Sequence, residues 1–470
     1  MLSADRGQPG KALSLGKIHA PTQRVGTGKL RNNQKGSEML PASTEKDISR
    51  RQIGREHDSS YRIGTHYDNK GLLYGNSCER RLELTSSFTL TSEYRVTADI
   101  FAAQNNTLTE IYQTFGQCTA VVDEEVLAHY RARIESYFAE HGIKLRMLEC
   151  PAKEEDKNLS SVLKIVDYLA SPDINQPRKE PVLIIGGGVL HDVAGMACSL
   201  LHRRTPYVML ATSLIAAIDA GPSPRTGVNA HNFKNSLGAF HPPIITLVDR
   251  NLFGTLDPAY VRHGVAEIVK MGIVDDSELF SILERHGAAL ISARFSDLRD
   301  PKLADVADDV LYRTVASYLK HEGTNLFEVY EDRPHAYGHT WSNKFELSAR
   351  LLHGHAVSIE MCLSAQIAVL MSWITEDQCV RIIELCRSLG LAVYHPIIED
   401  IDRMVKTQET VRRRRGGEGL CAPLPKRQIG ECDYAQVISS DLLKAATNKH
   451  RKICRQLPDH GAGTEMYLKG

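Results

Sequence analysis

Val182-Leu-Ile-Ile-Gly-Gly-Gly-Val-Leu-His-Asp-Val-Ala-Gly195 decides the reading of this chain. Pro181 to Ile185 reads as a buried strand, followed by three glycines and a helix reaching Leu201. Glycines let a backbone approach a phosphate, and a helix N-terminus favours an anion. The match to G-x-G-x-x-G is incomplete, because His191 stands where the third glycine would fall. A tight strand-to-helix turn accounts for these residues equally well.

Upstream, Gln117 to Val122 reads as a strand ending at Asp123, Glu125 to His141 as an amphipathic helix, Lys144 to Glu149 as a strand and Ser160 to Leu169 as a helix. Phe88 to Thr97 alternates like one further strand. Alternating strands and helices predict an α/β layer with a parallel sheet. After Asp249 the spacing turns helical over Pro258 to Val274, Ser277 to Arg285, Asp305 to His321, Phe345 to Leu352, His355 to Met371 and Glu376 to Leu389. The expected organisation is a basic, polar, disordered tail over 1–81, an α/β nucleotide-binding domain over 82–250, and a mainly α-helical domain over 251–470.

Composition narrows the function. The 470 residues carry 57 basic and 57 acidic side chains, which argues against a nucleic-acid scaffold. The most apolar stretch, Pro206 to Ala220, is broken by Thr212, Ser213 and Asp219, so no membrane partner is expected. Ten cysteines without a C-x-x-C pair point to reduced thiols and a cytoplasmic protein. The acid-poor start of the tail would also suit an organellar transit peptide. Arg412 to Arg415, followed by glycines, reads as a solvated loop.

Two more regions offer chemistry. The Gly/Pro-rich stretch Gly221-Pro-Ser-Pro-Arg-Thr-Gly-Val-Asn229 reads as a polar loop after a buried strand, and its Arg225, with Lys234 beyond, could clamp a phosphate. Glu267 and Lys270 share a helix face, and His339 and His353 could join Glu267 around a divalent ion. Spacing leaves His263, His335 and His355 as rival ligands.

Together the segments resemble the 3-dehydroquinate synthase superfamily, the sugar phosphate cyclases. The likeness rests on Gly186 to Gly195, Lys234-Asn235, Leu237 to His241, Gly264-Val-Ala-Glu-Ile-Val-Lys270, Gly338-His339-Thr340 and His353-Gly354. It implies a dehydroquinate synthase-like fold, NAD and a divalent metal, usually zinc with cobalt as an alternative, and a homodimer. It implies Glu267, His339 and His353 as metal ligands. It implies NAD contacts from Asp123, Glu154, Lys157, Gly187, Gly188, Asp192, Thr212, Asp219, Thr255 and Leu256. Arg203, Arg225, Lys234, Asn235 and Lys270 would be the substrate and catalytic groups.

Departures from the family pattern bear on the substrate. Where 3-dehydroquinate synthase carries an Arg and an Asn toward the substrate carboxylate, this chain has Asp332 and Ala336, with Arg333 one residue on. Asn343 replaces a histidine, His355 a glutamate, and Arg225 a lysine. Ala336-Tyr-Gly-His-Thr-Trp-Ser342, Leu352-His-Gly-His-Ala-Val357 and His241-Pro242-Pro243 look like the branch that cyclises sedoheptulose 7-phosphate, which includes 2-epi-5-epi-valiolone, 2-epi-valiolone and desmethyl-4-deoxygadusol synthases. That substrate lacks a carboxylate. The expected activity is its conversion to a C7 cyclitol. The alternatives are 3-dehydroquinate synthase, a polyol dehydrogenase of the glycerol dehydrogenase type, and a non-catalytic binding protein of the same fold.

Overall fold

In the computed structural model, β8 (Val182–Gly186) is buried on both faces, as an all-apolar strand at the centre of a parallel sheet must be. The structure describes residues 89–467 apart from 232, 297 and 418, and from the side chains at 233 and 347. It also describes the backbone of four short strands, β1 (Thr65–Tyr67), β2 (Leu72–Asn76), β3 (Arg81–Thr85) and β4 (Phe88–Leu90). β1 pairs with β4 and β2 with β3, both antiparallel, so pairing starts before the boundary expected at 82. The expectation of disorder over residues 1–64 lies outside the described residues.

The single strand expected over 88–97 is two. β5 (Glu93–Thr97) leaves β4 behind and joins the main sheet. That sheet is completed by β6 (Gln117–Asp123), β7 (Lys144–Cys150), β8, β9 (Tyr207–Ala211) and β12 (Ile245–Asp249). Its order is β5-β12-β9-β8-β6-β7, all parallel. The chain steps from β6 outward to β7 and then back across to β8. The strand order therefore reverses between β6 and β8, where open α/β sheets form their ligand crevice.

Both faces of the sheet are covered. Cys118, Ala120, Val122, Leu183, Ile185, Val208 and Leu210 face α1 (Thr107–Tyr112) and α2 (Glu124–Glu140). Val121, Val182, Ile184, Met209 and Val248 belong to a larger core that runs on into the later helices. On that side, α3 (Leu159–Ala170) packs on α4 (Gly188–Leu200). Gly195 of α4 allows a close approach: a Cβ there would meet Thr226 Cγ2 at 2.6 Å and Tyr207 Oη at 3.1 Å. The helix-packing glycine thus sits four residues after His191, which is buried against the Tyr207 hydroxyl at 3.1 Å.

Two expected loops are regular structure. Residues after Ala216 make one π-helical turn (Ala216–Ala220) and then a hairpin of β10 (Arg225–Ala230) and β11 (Phe233–Phe240). The arginine run closes helix α11 (Ile401–Arg414), and Arg415 pairs with Glu331 at 3.0 Å. The helical half contains α5 (Pro258–Val274), α6 (Ser277–Ser292), α7 (Pro301–Glu322), α8 (Ser342–Ala349), α9 (His353–Leu370), α10 (Glu376–Ser388) and α12 (Ser440–Arg455). It also holds an unforeseen hairpin, β13 (Ala422–Lys426) with β14 (Gln428–Ala435). No described helix is long and apolar enough to cross a membrane.

Candidate active site

Three elements bring Glu267, His339 and His353 together, with ligand atoms within 4.8 Å of one another. Glu267 sits mid-way along α5, which starts on an Asp257 cap and Pro258 and is buried along most of its length. His353 is the first residue of α9, itself buried almost throughout. His339 lies in the turn before α8. Gly354 lets α9 close on α5: a Cβ there would lie 2.9 Å from His263 Cα and 3.0 Å from the Arg262 carbonyl oxygen.

The donor set fits a divalent cation. Glu267 Oε1 is buried and accepts no hydrogen bond, while the Nε2 atoms of His339 and His353 stand 3.6 and 3.3 Å away. Each ring is held from behind, His339 Nδ1 by the Tyr337 carbonyl and His353 Nδ1 by Glu346 Oε2, both at 3.0 Å. That leaves both Nε2 atoms to coordinate, the arrangement of a catalytic zinc with carboxylate and imidazole ligands. Burial opposes charge on His353, but the carboxylates of Glu267 and Glu346 on either side push it up to about 10. Burial lowers His339 to about 4. Burial likewise opposes charge on Glu267, and Lys270 and the two histidines outweigh it, holding the carboxyl well below its ordinary range.

Of the rival ligands, His263 is partly buried with its ring 6.2 Å from that of His353, and His355 Nδ1 accepts the Ala392 N–H at 3.0 Å. His335 belongs to the Arg225 cluster described below. Lys270 Nζ contacts Glu267 Oε2 directly. Lys234 Nζ lies 2.6 Å from Glu346 Oε1 and 3.6 Å from Glu154 Oε1, so it reaches the cluster through the carboxylate behind His353. Asn235 follows at φ 51°, with its N–H on Asn229 Oδ1 at 3.0 Å.

The candidate nucleotide crevice lies along the carboxyl ends of the sheet strands. Asp123 ends β6 and caps α2 by accepting the Glu125 N–H at 3.0 Å. A Cβ on Gly186 would meet Asp123 Cβ at 3.3 Å. Gly187 and Gly188 open α4, whose N-terminus has no side-chain cap and presents its N–H groups to an anion. Thr212 donates its N–H to the Gly186 carbonyl at 3.0 Å. Asp192 joins Lys157 at 2.5 Å and the Gly227 N–H at 3.1 Å. Glu154 accepts from Asn229 at 2.8 Å. Asp219 sits in the π-helical turn, and Thr255 and Leu256 close the turn that follows β12.

Two expected substrate residues stand differently. Arg225 is not a free phosphate clamp: it pairs with Glu328 at 2.5 Å and Glu322 at 3.3 Å and donates to the Tyr318 hydroxyl. Glu322, Glu328 and His335 could themselves ligate a metal, but the guanidinium already supplies the cation there. Arg203, exposed at φ 70°, lines a cleft of about 280 Å³ with Leu200, Arg204, Phe240 and Phe327. The walls of that cleft include no metal-cluster residue. Sequence reading missed Glu346, Glu322 and Glu328. Glu346 alone left a signal, standing seven residues from each ligand histidine.

The N-terminal domain pattern of 3-dehydroquinate synthase matches residues 147–263 and its C-terminal pattern residues 264–411. The demethyl-4-deoxygadusol synthase of Trichormus variabilis is 38% identical over 78% of this chain and 89% of its own. The chain belongs to the 3-dehydroquinate synthase family. Within that family, a 2-epi-5-epi-valiolone synthase of an Actinoplanes species is 36% identical over 77% of this chain and 91% of its own. The solved 2-epi-5-epi-valiolone synthase ValA of Streptomyces hygroscopicus subsp. jinggangensis, with NAD and zinc bound, superimposes with TM-score 0.72 at 34% identity. That match covers 77% of this chain and 98% of ValA. The expected parallel-sheet and helical family fold is therefore present.

Proposed function

We propose that this family member is an NAD- and zinc-dependent cyclase that converts sedoheptulose 7-phosphate to a C7 cyclitol and inorganic phosphate, without net oxidation. The observation that carries the substrate is the state of the segment before His339. Asp332 and Ala336 offer a carboxylate no cation, and Arg333 is engaged by Glu328 and by Glu331 at 3.3 Å. A substrate carboxylate there would forgo charge-assisted bonds of about 1.5–3 kcal/mol each. The relatives named demethyl-4-deoxygadusol and 2-epi-5-epi-valiolone synthase support the same choice.

When bound, NAD removes and later returns a hydride at one substrate carbon, and zinc polarises the oxygens on that carbon. Glu267, His339 and His353 would hold the metal. Asp123, Gly187 and Gly188 would hold the nucleotide at the β6/β8 crevice. Lys270, in contact with Glu267, would move a proton at the substrate carbon next to the one that zinc would hold. Lys234 and Asn235 would meet the leaving phosphate. The reading includes a homodimer, for which exposed Phe240 and Phe327 supply apolar surface, and a cytoplasmic location, in keeping with nine free cysteines among the described residues.

The test offers the purified protein, with NAD and zinc, sedoheptulose 7-phosphate and 3-deoxy-arabino-heptulosonate 7-phosphate in parallel. Phosphate release from the first alone is expected. Release from the second alone would mean that Arg333 leaves its glutamates to bind a carboxylate.

A further inference from the structure

Glu360, near the middle of α9, is 1% exposed, yet it carries an acidic side chain into the core. Its Oε1 accepts the Thr340 N–H at 2.6 Å, and its Oε2 accepts the Trp341 N–H at 2.7 Å and the Ser342 N–H. These three donors follow His339 directly in the chain. They lead into α8, where the free N–H groups of a helix start suit a carboxylate in hydrogen bonding and in charge. Burial pushes the carboxyl up to about 7, with the three N–H donors pulling the other way.

Further contacts fix the same turn on the same helix. The Tyr337 hydroxyl donates to the Met361 carbonyl at 2.6 Å, and Ser342 Oγ donates to the Gly338 carbonyl at 2.6 Å. Gly338, at φ +77°, presses on α9 so closely that a Cβ would meet Val357 Cγ1 at 2.9 Å. The helix that supplies His353 therefore also grips the turn that supplies His339. Glu360 is the only charged side chain in that grip.

We propose that Glu360 is a positioning residue of the metal centre, holding His339 at ligating distance by gathering the N–H groups of residues 340–342. The proposal rests on the metal site described above. Metal binding tests it apart from turnover, using the full-length protein and zinc titrated against a chromophoric chelator, with NAD binding and thermal melting alongside.

Glu360→Gln retains the volume but turns an amide NH₂ or a single oxygen toward three donors. We expect it to bind NAD within twofold of the parent and to lose zinc affinity by about 10–100-fold, the scale typical of groups that orient a ligand. Glu360→Asp, charged but shorter, should recover part of the loss. It carries the comparison if the glutamine variant does not fold. If Glu360 acts through His339, then His339→Ala and the double variant Glu360→Gln/His339→Ala should bind zinc equally weakly.

Zinc affinity within twofold of the parent in folded Glu360→Gln would overturn the proposal. So would losses that add in the double variant, or NAD and zinc affinities that fall together in both Glu360 variants. A parent protein that binds no zinc would instead sink the metal site itself.

Discussion

At the scale of single residues, the site is a set of charges that satisfy one another around an unused lone pair. Glu267 Oε1 accepts no hydrogen bond, while Oε2 meets Lys270. Lys270→Met should therefore bind zinc and NAD yet lose about 10²–10⁴-fold in kcat, the usual share of a positioned acid or base. Zinc content and steady-state kinetics check both halves of that statement. Arg225 makes a different prediction. Its guanidinium faces Glu322, which is 2% exposed. Arg225→Ala should strand that carboxylate and destabilise the fold by about 3–5 kcal/mol, read as a fall in the denaturant midpoint. Substitution of a surface phosphate clamp would leave that midpoint unchanged.

At the scale of elements, the closeness of α5 and α9 sets the metal cluster. A Cβ on Gly354 would press on the backbone of Arg262 and His263, which cannot rotate away. Gly354→Ala should cost about 1–3 kcal/mol as overpacking and, by parting His353 from Glu267, weaken zinc binding as well. Parallel melting and zinc titration measure the two effects. The end of α5 adds a pH dependence. Asp275 accepts from His321 at 2.7 Å, from Lys320 at 2.9 Å and from Ser317. Burial opposes its charge, but these partners hold its carboxyl down at about 2, below the ordinary 3.8. The resulting stability, about 2 kcal/mol, is present above pH 4 and lost as pH falls through 2. Asp275→Asn should flatten that part of the acid melting curve.

The elements also show what a sequence can and cannot say. β6, β8, α4 and α5 were legible, because apolar period and punctuation agreed with their tertiary setting. The β10/β11 hairpin was not, since Pro222, Pro224 and three glycines in or before it read as loop. Helices α11 and α12 went unseen because each buries only a thin stripe, Met404, Thr407 and Gln408 in one and Leu443, Ala446, Thr447, His450 and Cys454 in the other. The three candidate metal ligands were named through resemblance to a family; spacing alone left six candidates. Glu360 was invisible, and Glu346 showed only its spacing of seven from His339 and His353, because a helix carries many glutamates and only packing shows which point inward. The partners of Arg225 went unseen for the same reason, lying about a hundred residues away.

At the scale of the whole molecule, two structures of different kinds share one core. The sheet supplies a crevice where its strand order reverses, and the helical half supplies the candidate metal ligands Glu267, His339 and His353. Lys234 joins them, running from the β11 hairpin to Glu346 behind His353. Such an arrangement would bring a redox cofactor and a Lewis acid to one substrate, as the proposed cyclase that borrows and returns a hydride requires. The most direct measurement follows phosphate and NADH together, with sedoheptulose 7-phosphate in large excess over NAD and zinc present. The account predicts phosphate far exceeding the NAD supplied, with no net NADH. NADH rising in step with substrate loss, and no phosphate, would show a polyol dehydrogenase and contradict it.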